Sequence, residues 1–410
     1  MSNYYVAMRQ EAIKQYYQGN RPKQIYMSLG RSKKWFFKWL KRHKENEPKW
    51  YLDRKKARKI QIYAVSDHVE SAIIKKRLEL ERTKYQQIGA CKIRQELKKM
   101  SILPLPHAWQ INRILKRNNL VHPKGPYKSK NKLYPSFTAD KPGVIHQADF
   151  ATARKIQGEG IIRTLNNIDI YSRKTCVNII RTKQAKATMG AFIATWKRMG
   201  MPQYLQLDND PVFEFGSYFA HSLPRVLKLV LSLNIEPVFI PVREPWRNSY
   251  VENFNGIYKY MFFNSQRWVN IGHIRKESKT FEKIHNDTYC LSVRNGRTPN
   301  EVVSGCSINY LPGDYKIPKN LPYPKKGKIH FIRFVRSDRK IRVLTDEFKL
   351  KNDVVYEYIK ATLDIKEQAL FIYYQDEIIQ SFNYKTQPKT NVYISGLKKS
   401  GSHPCSTIPL

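Results

Sequence analysis

Apolar positions recur at helical spacing through the first third of this chain and at strand spacing through most of the rest. Over residues 9–18, Ala12, Ile13, Tyr16 and Tyr17 share one helical face, and Gly19 and Asn20 end the segment. A second short helix carries Ile25 and Leu29 and stops at Gly30. Ser32 then caps a third, KKWFFKWLKRHK. Its Trp35, Phe36, Trp39 and Leu40 point inward, and Lys34, Lys38, Lys41 and Arg42 point outward. The pattern returns after Asp67, which starts a long helix, and continues in IGACKIRQELKKM and HAWQINRILKRNN. There Ile93, Leu97, Ile111, Ile114 and Leu115 are the expected core. Arg94, Lys98, Lys99, Arg113, Lys116 and Arg117 occupy the opposite faces.

From Gly143 the period falls to two. VIHQADFA, GIIRTLNNIDIYSR and KTCVNIIRT predict a three-strand meander, and AKATMGAFIATWKRMG a helix ended by Gly200. YLQLDND predicts a fourth strand, residues 218–232 a helix, EPVFIP a fifth strand, and NSYVENFNGIYKYMF a helix capped by Asn248 or Ser249. Beyond Lys328, short alternating strands with turn residues between them predict a small β-barrel. The fold class is therefore multi-domain: N-terminal all-α helix-turn-helix modules, a central α/β core and a C-terminal small β-barrel. The divisions are a helix-turn-helix module (1–50), a basic linker (51–65), a second helix-turn-helix-like module (66–122) and another basic linker (123–140). The core (141–305), the barrel (320–385) and a flexible tail (386–410) follow.

Charge changes the picture. Lys and Arg number 74 against 33 Asp and Glu, a formal charge of +41. Residues 1–140 alone hold 33 of those cations and 10 of the acids. Such an excess calls for a polyanion, and a short glycine turn before a basic helix suits the DNA major groove. The outward cations of the two modules are the expected DNA contacts. A membrane is a poor alternative, because no apolar run reaches about 18 residues and no signal peptide opens the chain. The five cysteines, Cys91, Cys176, Cys290, Cys306 and Cys405, are dispersed and form no C-x-x-C pair. That pattern fits a reducing compartment and no structural zinc.

Within so basic a chain, three acids stand out: Asp149 in VIHQADF, Asp208 in QYLQLDND and Glu252 in WRNSYVENFN. Each lies where a strand ends or a helix begins. The element order of three strands, helix, strand, helix, strand, helix is the plan of an RNase H-like core. In it, Asp149 ends the first strand, and the fourth, ending at Asp208, lies beside the first. Phosphodiester chemistry gathers negative charge at phosphorus, and two Mg²⁺ (or Mn²⁺) ions about 4 Å apart can activate the attacking oxygen and steady the leaving one. Three carboxylates supply the hard ligands such ions prefer. Asp149 would bridge the ions, with Asp208 on one and Glu252 on the other. Water, then a DNA 3′-hydroxyl, would be the nucleophile. On the last helix Val251, Phe254 and Tyr258 mark the packed face, while Glu252, Asn255 and Lys259 share another, from which Lys259 can reach phosphate. Any one acid alone is more often a cap, turn or surface charge. Asp210 and Glu214 compete with the chosen set, as does Asp169, which suits closure of a hairpin with Ser172 and Arg173. The order and context of the three acids together favour a site.

Residues 140–305 resemble the catalytic core of bacterial insertion-sequence transposases and retroviral integrases, the D-D-E group. The matching text is HQADF, NNIDIYSRKTC, LDNDPVFEF against T-D-N-G-x-E-F, and PWRNSYVENFNGIYK against P-x-x-N-G-x-x-E-R-F-N. HNDTYCLSVRNGRTPNEV matches the family's closing motif. The resemblance gives Asp149, Asp208 and Glu252 metal-binding catalytic roles and sets Asn209 and Asn248 near them. Asp210 stands where glycine is usual, and Asn253 replaces the common arginine. The spacing of 43 residues between Asp208 and Glu252 exceeds that of the retroviral type. What the resemblance implies is a polynucleotidyl transferase that binds element ends, cuts them and joins them to target double-stranded DNA as a homodimer or higher multimer. In a bacterium it would be cytoplasmic and nucleoid-associated. Two other readings remain: a catalytically silent repressor or architectural protein, and a nuclease that cuts without joining. The end and target sequences, and the need for a helper ATPase, are not legible.

Overall fold

The computed structural model describes residues 3–46, 48–53, 65–121, 133–214, 221–351 and 354–386. The expected linkers and tail fall largely on 54–64, 122–132 and 387–410, outside the described residues, as does Cys405. The chain divides into two compact units, Met1–Ala64 and Val65–Leu410.

The first unit packs α1 (Asn3–Tyr17), α2 (Pro22–Ser28) and α3 (Lys33–Lys44) around Ala12, Ile13, Ile25, Phe36 and Leu40. Ser32 caps α3 as its sequence requires, its side chain accepting from the Trp35 amide. Helix α1 begins six residues earlier than expected, since nothing before Arg9 breaks it. Lys34, Lys38 and Lys41 are exposed, but Arg42 is not. It is buried, donates Nη1 to the Leu52 carbonyl at 2.9 Å, and lies 4.8 Å from the Trp39 ring. A guanidinium shares the apolar face more readily than an ammonium. The expectation that Arg42 belongs to the outer basic face is corrected.

The second unit begins with α4 (Asp67–Arg82), α5 (Ala90–Lys99) and α6 (Ala108–Arg117). All five expected core positions there are buried, and Arg94, Lys98, Arg113, Lys116 and Arg117 are exposed. Arg117 pairs with Glu70. The core follows as β1 (Ile145–Ile156), β2 (Gly160–Asp169), β3 (Thr175–Ile180), α7 (Ala185–Met199), β4 (Tyr204–Leu207), α8 (Pro211–Glu214), α9 (Arg225–Ser232), β5 (Glu236–Phe239), α10 (Ser249–Tyr258), α11 (Ile271–Thr288) and α12 (Pro299–Val303). β1 pairs antiparallel with β2 and parallel with β4, and β4 parallel with β5. The strand order β3-β2-β1-β4-β5 with these directions is RNase H-like. One face packs on α7 and α9 through Phe192, Trp196, Leu227 and Val230. The other packs on α10 and α11 through Phe254, Tyr258 and Phe281.

Three local expectations change. β1 runs past Asp149 instead of ending there; what ends is its pairing with β4, at Gln147 opposite Gln206. Helix α9 starts at Arg225, with Pro224 at its N-cap. Helix α10 is not capped by its own Asn248 or Ser249 side chain.

The larger correction concerns the C-terminus. The remaining strands are β6 (Lys328–Phe334), β7 (Lys340–Val343), β8 (Asp346–Lys349), β9 (Tyr358–Asp364), β10 (Ala369–Tyr374) and β11 (Glu377–Asn383). Among the described residues they do not close into a barrel. β6 pairs parallel with β5, and β9, β10 and β11 follow, so the core's sheet extends to nine strands with β7 and β8 as a separate hairpin. The reason lies in β6, whose Ile329–Ile332 run is buried without alternation, as in a strand covered on both faces.

Candidate active site

A polar scaffold brings the first strand and the last core helix together. The Gln147 side chain points from β1 to the start of α10, where its Oε1 accepts the amides of Tyr250 at 3.0 Å and Val251 at 3.1 Å. These are orphan donors of a helix N-terminus, so Gln147 supplies the cap that α10 lacks. Asn248 donates Nδ2 to the Ala148 carbonyl at 3.2 Å. From β4, Gln206 donates Nε2 to the Arg247 carbonyl at 3.0 Å. The first turn of α10, which carries Glu252, is thus fastened to β1 and β4.

Asp149 lies two residues beyond Gln147 and shares its sheet face. Its Oδ2 accepts from Asn255 Nδ2 at 2.7 Å, one helical turn after Glu252. Asn255 Oδ1 in turn accepts from Asn166 Nδ2 at 2.8 Å, and Asn166 stands directly opposite Asp149 on β2. Asp208 follows the last residue of β4, the parallel neighbour of β1.

The electrostatics tie the three acids together. Burial, then the charges of Asp208 and Glu252, push the Asp149 carboxyl up to about 7. Burial, then Asp210, and more weakly Glu252, push Asp208 up to about 6. Burial raises Glu252, the most open of the three. The Lys183 ammonium opposes the rise at both aspartates without cancelling it. Among the described residues no three acid, His or Cys side chains stand close enough to enclose a metal ion.

The competing acids are otherwise engaged. Asp210 caps α8, its Oδ1 accepting from the Val212 amide at 3.1 Å, and pairs through Oδ2 with Lys183 Nζ at 2.6 Å. Glu214 is buried against Arg333 at 2.8 Å. Asp169 closes its hairpin as expected, accepting from the Ser172 amide at 2.6 Å and hydroxyl at 2.7 Å. Asn209 donates Nδ2 to the Ile240 carbonyl at 2.8 Å, while its Oδ1 is buried with no partner. Lys259 is exposed where α10 gives way to a π-helical turn (Lys259–Phe263).

Sequence reasoning missed Gln147, Gln206, Asn166 and Lys183. Gln147 had a signal, since a buried amide inside an apolar strand demands a partner. Asp210 had one too: Asp-Pro opening a helix is a capping signature. Lys183 sits in a short loop and had none.

No protein-family model matches the chain, and no curated protein matches it. Solved structures do. The HTLV-2 integrase catalytic core domain in complex with magnesium is similar in its dimeric form at 18% identity and TM-score 0.30, over 40% of this chain and 97% of that one. Its trimeric form is similar at 18% identity and TM-score 0.31, over 40% and 99%. A simian T-cell lymphotropic virus intasome in complex with PP2A regulatory subunit B56 gamma is similar at 17% identity and TM-score 0.35, over 72% and 96%. At such identities and scores the likeness is one of outline and carries no weight for mechanism.

Proposed function

We propose that the chain is a polynucleotidyl transferase of the transposase or integrase type, which cuts element-end DNA and joins it to a target. The observation that carries this is geometric: Asn255, one turn after Glu252 on α10, donates to Asp149 at 2.7 Å, and Asp208 follows the strand that lies parallel beside β1. Two half-buried acids with an exposed third nearby suit a cation from solution. The donor set fits a hard divalent ion such as Mg²⁺ or Mn²⁺, for it consists of carboxylate and amide oxygens with no thiolate or imidazole. Asp149, Asp208 and Glu252 would hold two such ions. Asp208 is preferred to Asp210, whose oxygens serve a helix cap and Lys183. Bound divalent ions supply Lewis-acid activation of the attacking oxygen and neutralise charge at the leaving one.

The protein's own part is positional. Asn255, steadied by Asn166, sets the Asp149 side chain. Gln147 and Asn248 hold the turn that presents Glu252. Lys259, and the exposed cations Lys34, Lys38, Lys41, Arg94, Lys98, Arg113, Lys116 and Arg117, would take the DNA backbone. Joining needs two ends in one complex, so the active form is a dimer or larger. Among the described residues no helix is long and apolar enough to cross a membrane.

The test is a labelled duplex carrying the element end, incubated with Mg²⁺ or Mn²⁺. Wild type should nick and join it, and Asp149→Asn, Asp208→Asn and Glu252→Gln should each reduce both steps to background while binding DNA normally. Binding without metal-dependent chemistry supports the silent DNA-binding alternative, and cutting without joining supports a nuclease.

A further inference from the structure

The strands after the core reach back to the loops that carry the carboxylates. Arg333 on β6 is 4% exposed. Its Nε donates to the Arg342 carbonyl at 2.7 Å, its Nη1 to the Ile332 and Ile240 carbonyls at 3.2 Å each, and its Nη2 to Glu214 Oε1 at 2.8 Å. Two of these partners matter here. Glu214 ends α8, the helix that directly follows Asp208, Asn209 and Asp210. Ile240 opens the connection from β5 to α10, and its carbonyl also takes Asn209 Nδ2. One guanidinium therefore joins the loop of Asp208 to the connection that leads to Glu252. A second tie lies further along the same connection. Tyr358 on β9 donates its hydroxyl to Glu244 at 2.8 Å, and Glu244 accepts Arg247 Nε at 3.1 Å, one residue before Asn248.

A buried Arg–Glu pair is a weak stabiliser, because desolvating both ions offsets much of their attraction. As a rigid fork of donors it fixes geometry, which a lysine cannot copy. We infer that Arg333 is a positioning residue for the carboxylate site, acting through Glu214 and the Ile240 carbonyl. The strands after the core are then part of the catalytic unit and not a separable DNA-binding module. This rests on the chemistry proposed above.

The experiment uses the full chain, with Arg333→Lys as the main variant because it keeps a cation beside Glu214. Folding is followed by near-ultraviolet circular dichroism. Metal-free amide hydrogen exchange is read over residues 240–252, and Mn²⁺ binding by calorimetry without DNA. The expected result is a native spectrum, faster exchange over 240–252, and Mn²⁺ affinity about 10–100-fold weaker, as for other residues that orient metal ligands. Wild-type exchange and affinity in a folded Arg333→Lys overturns the inference. Should that variant not fold, Tyr358→Phe carries the test: weaker Mn²⁺ binding supports the clamp, and unchanged binding overturns it. A wild-type chain that binds no Mn²⁺ and cuts no DNA sinks the parent reading instead.

Discussion

Removing the charge of Asp149 should stabilise the metal-free protein at alkaline pH. Its carboxyl is raised from 3.8 to about 7. Between those values the folded protein keeps a proton that the unfolded chain has released, so stability falls as pH rises from about 4 to about 7 and is level above that. At about 1.4 kcal/mol for each factor of ten, the gap corresponds to roughly 4 kcal/mol. Water entry and rotation in a site open to solvent reduce this to about half. At roughly 2 °C per kcal/mol for a chain of this size, Asp149→Asn should melt about 4 °C above wild type at pH 8 in chelator. Below about pH 4 the two should coincide. The substitution keeps an oxygen that can accept from Asn255. Mg²⁺ at pH 8 should raise the wild-type melting temperature and leave the variant's nearly unchanged, since only ligand binding to the folded state adds stability. Differential scanning fluorimetry at two pH values, with and without metal, reads all four quantities. A variant that melts level with or below wild type at pH 8 in chelator refutes the idea that this charge is uncompensated.

Three further outcomes follow from the same geometry. DNA cleavage should rise with pH through about 6 to 7 as Asp208 and Asp149 lose protons, and more Mg²⁺ should move the midpoint down because proton and cation compete; a flat profile argues against those groups. Gln147→Leu strands two amides at the start of α10. It should cost about 1–3 kcal/mol in urea unfolding and depress cleavage strongly, while Gln147→Glu, which keeps the acceptor, should retain most stability. Replacing Lys34, Lys38 and Lys41 together by Ala should flatten the salt dependence of DNA binding by about 0.9 for each phosphate that is no longer neutralised, whereas Arg42→Ala should lower stability and leave that slope alone.

The sequence made the first and last core elements legible because their patterns are locally complete. Asp149 follows a β-rich run, Asp208 directly follows a short strand, and Val251, Phe254 and Tyr258, expected on the packed face of α10, are all buried. Arg42 departs from its expected face because helical spacing gives direction only to about a quarter turn, and a long side chain next to Trp39 can follow either face. Asn166 and Gln206 were passed over because strand period assigns a face but not a register. Only pairing shows that Asn166 stands across from Asp149 and that Gln206 neighbours Gln147.

Short strands and turns do suggest a barrel, yet KIHFIRF is nearly all buried and belongs inside a sheet. Arg333 is its discordant letter, because a cation in a doubly covered strand must meet a counter-charge. Its partner lies 119 residues away. Gln147 meets α10 across 103 and 104 residues, and Asn166 meets Asn255 across 89. Polar residues inside apolar runs thus hold the long-range information that periodicity discards. Asp149 belongs to the same class with a different outcome: Arg333 faces Glu214, whereas Asp149 faces two further acids with Lys183 a weaker opposing influence. Under the proposed function a cation from solution would offset its charge, whereas at Arg333 the chain itself completes the pair.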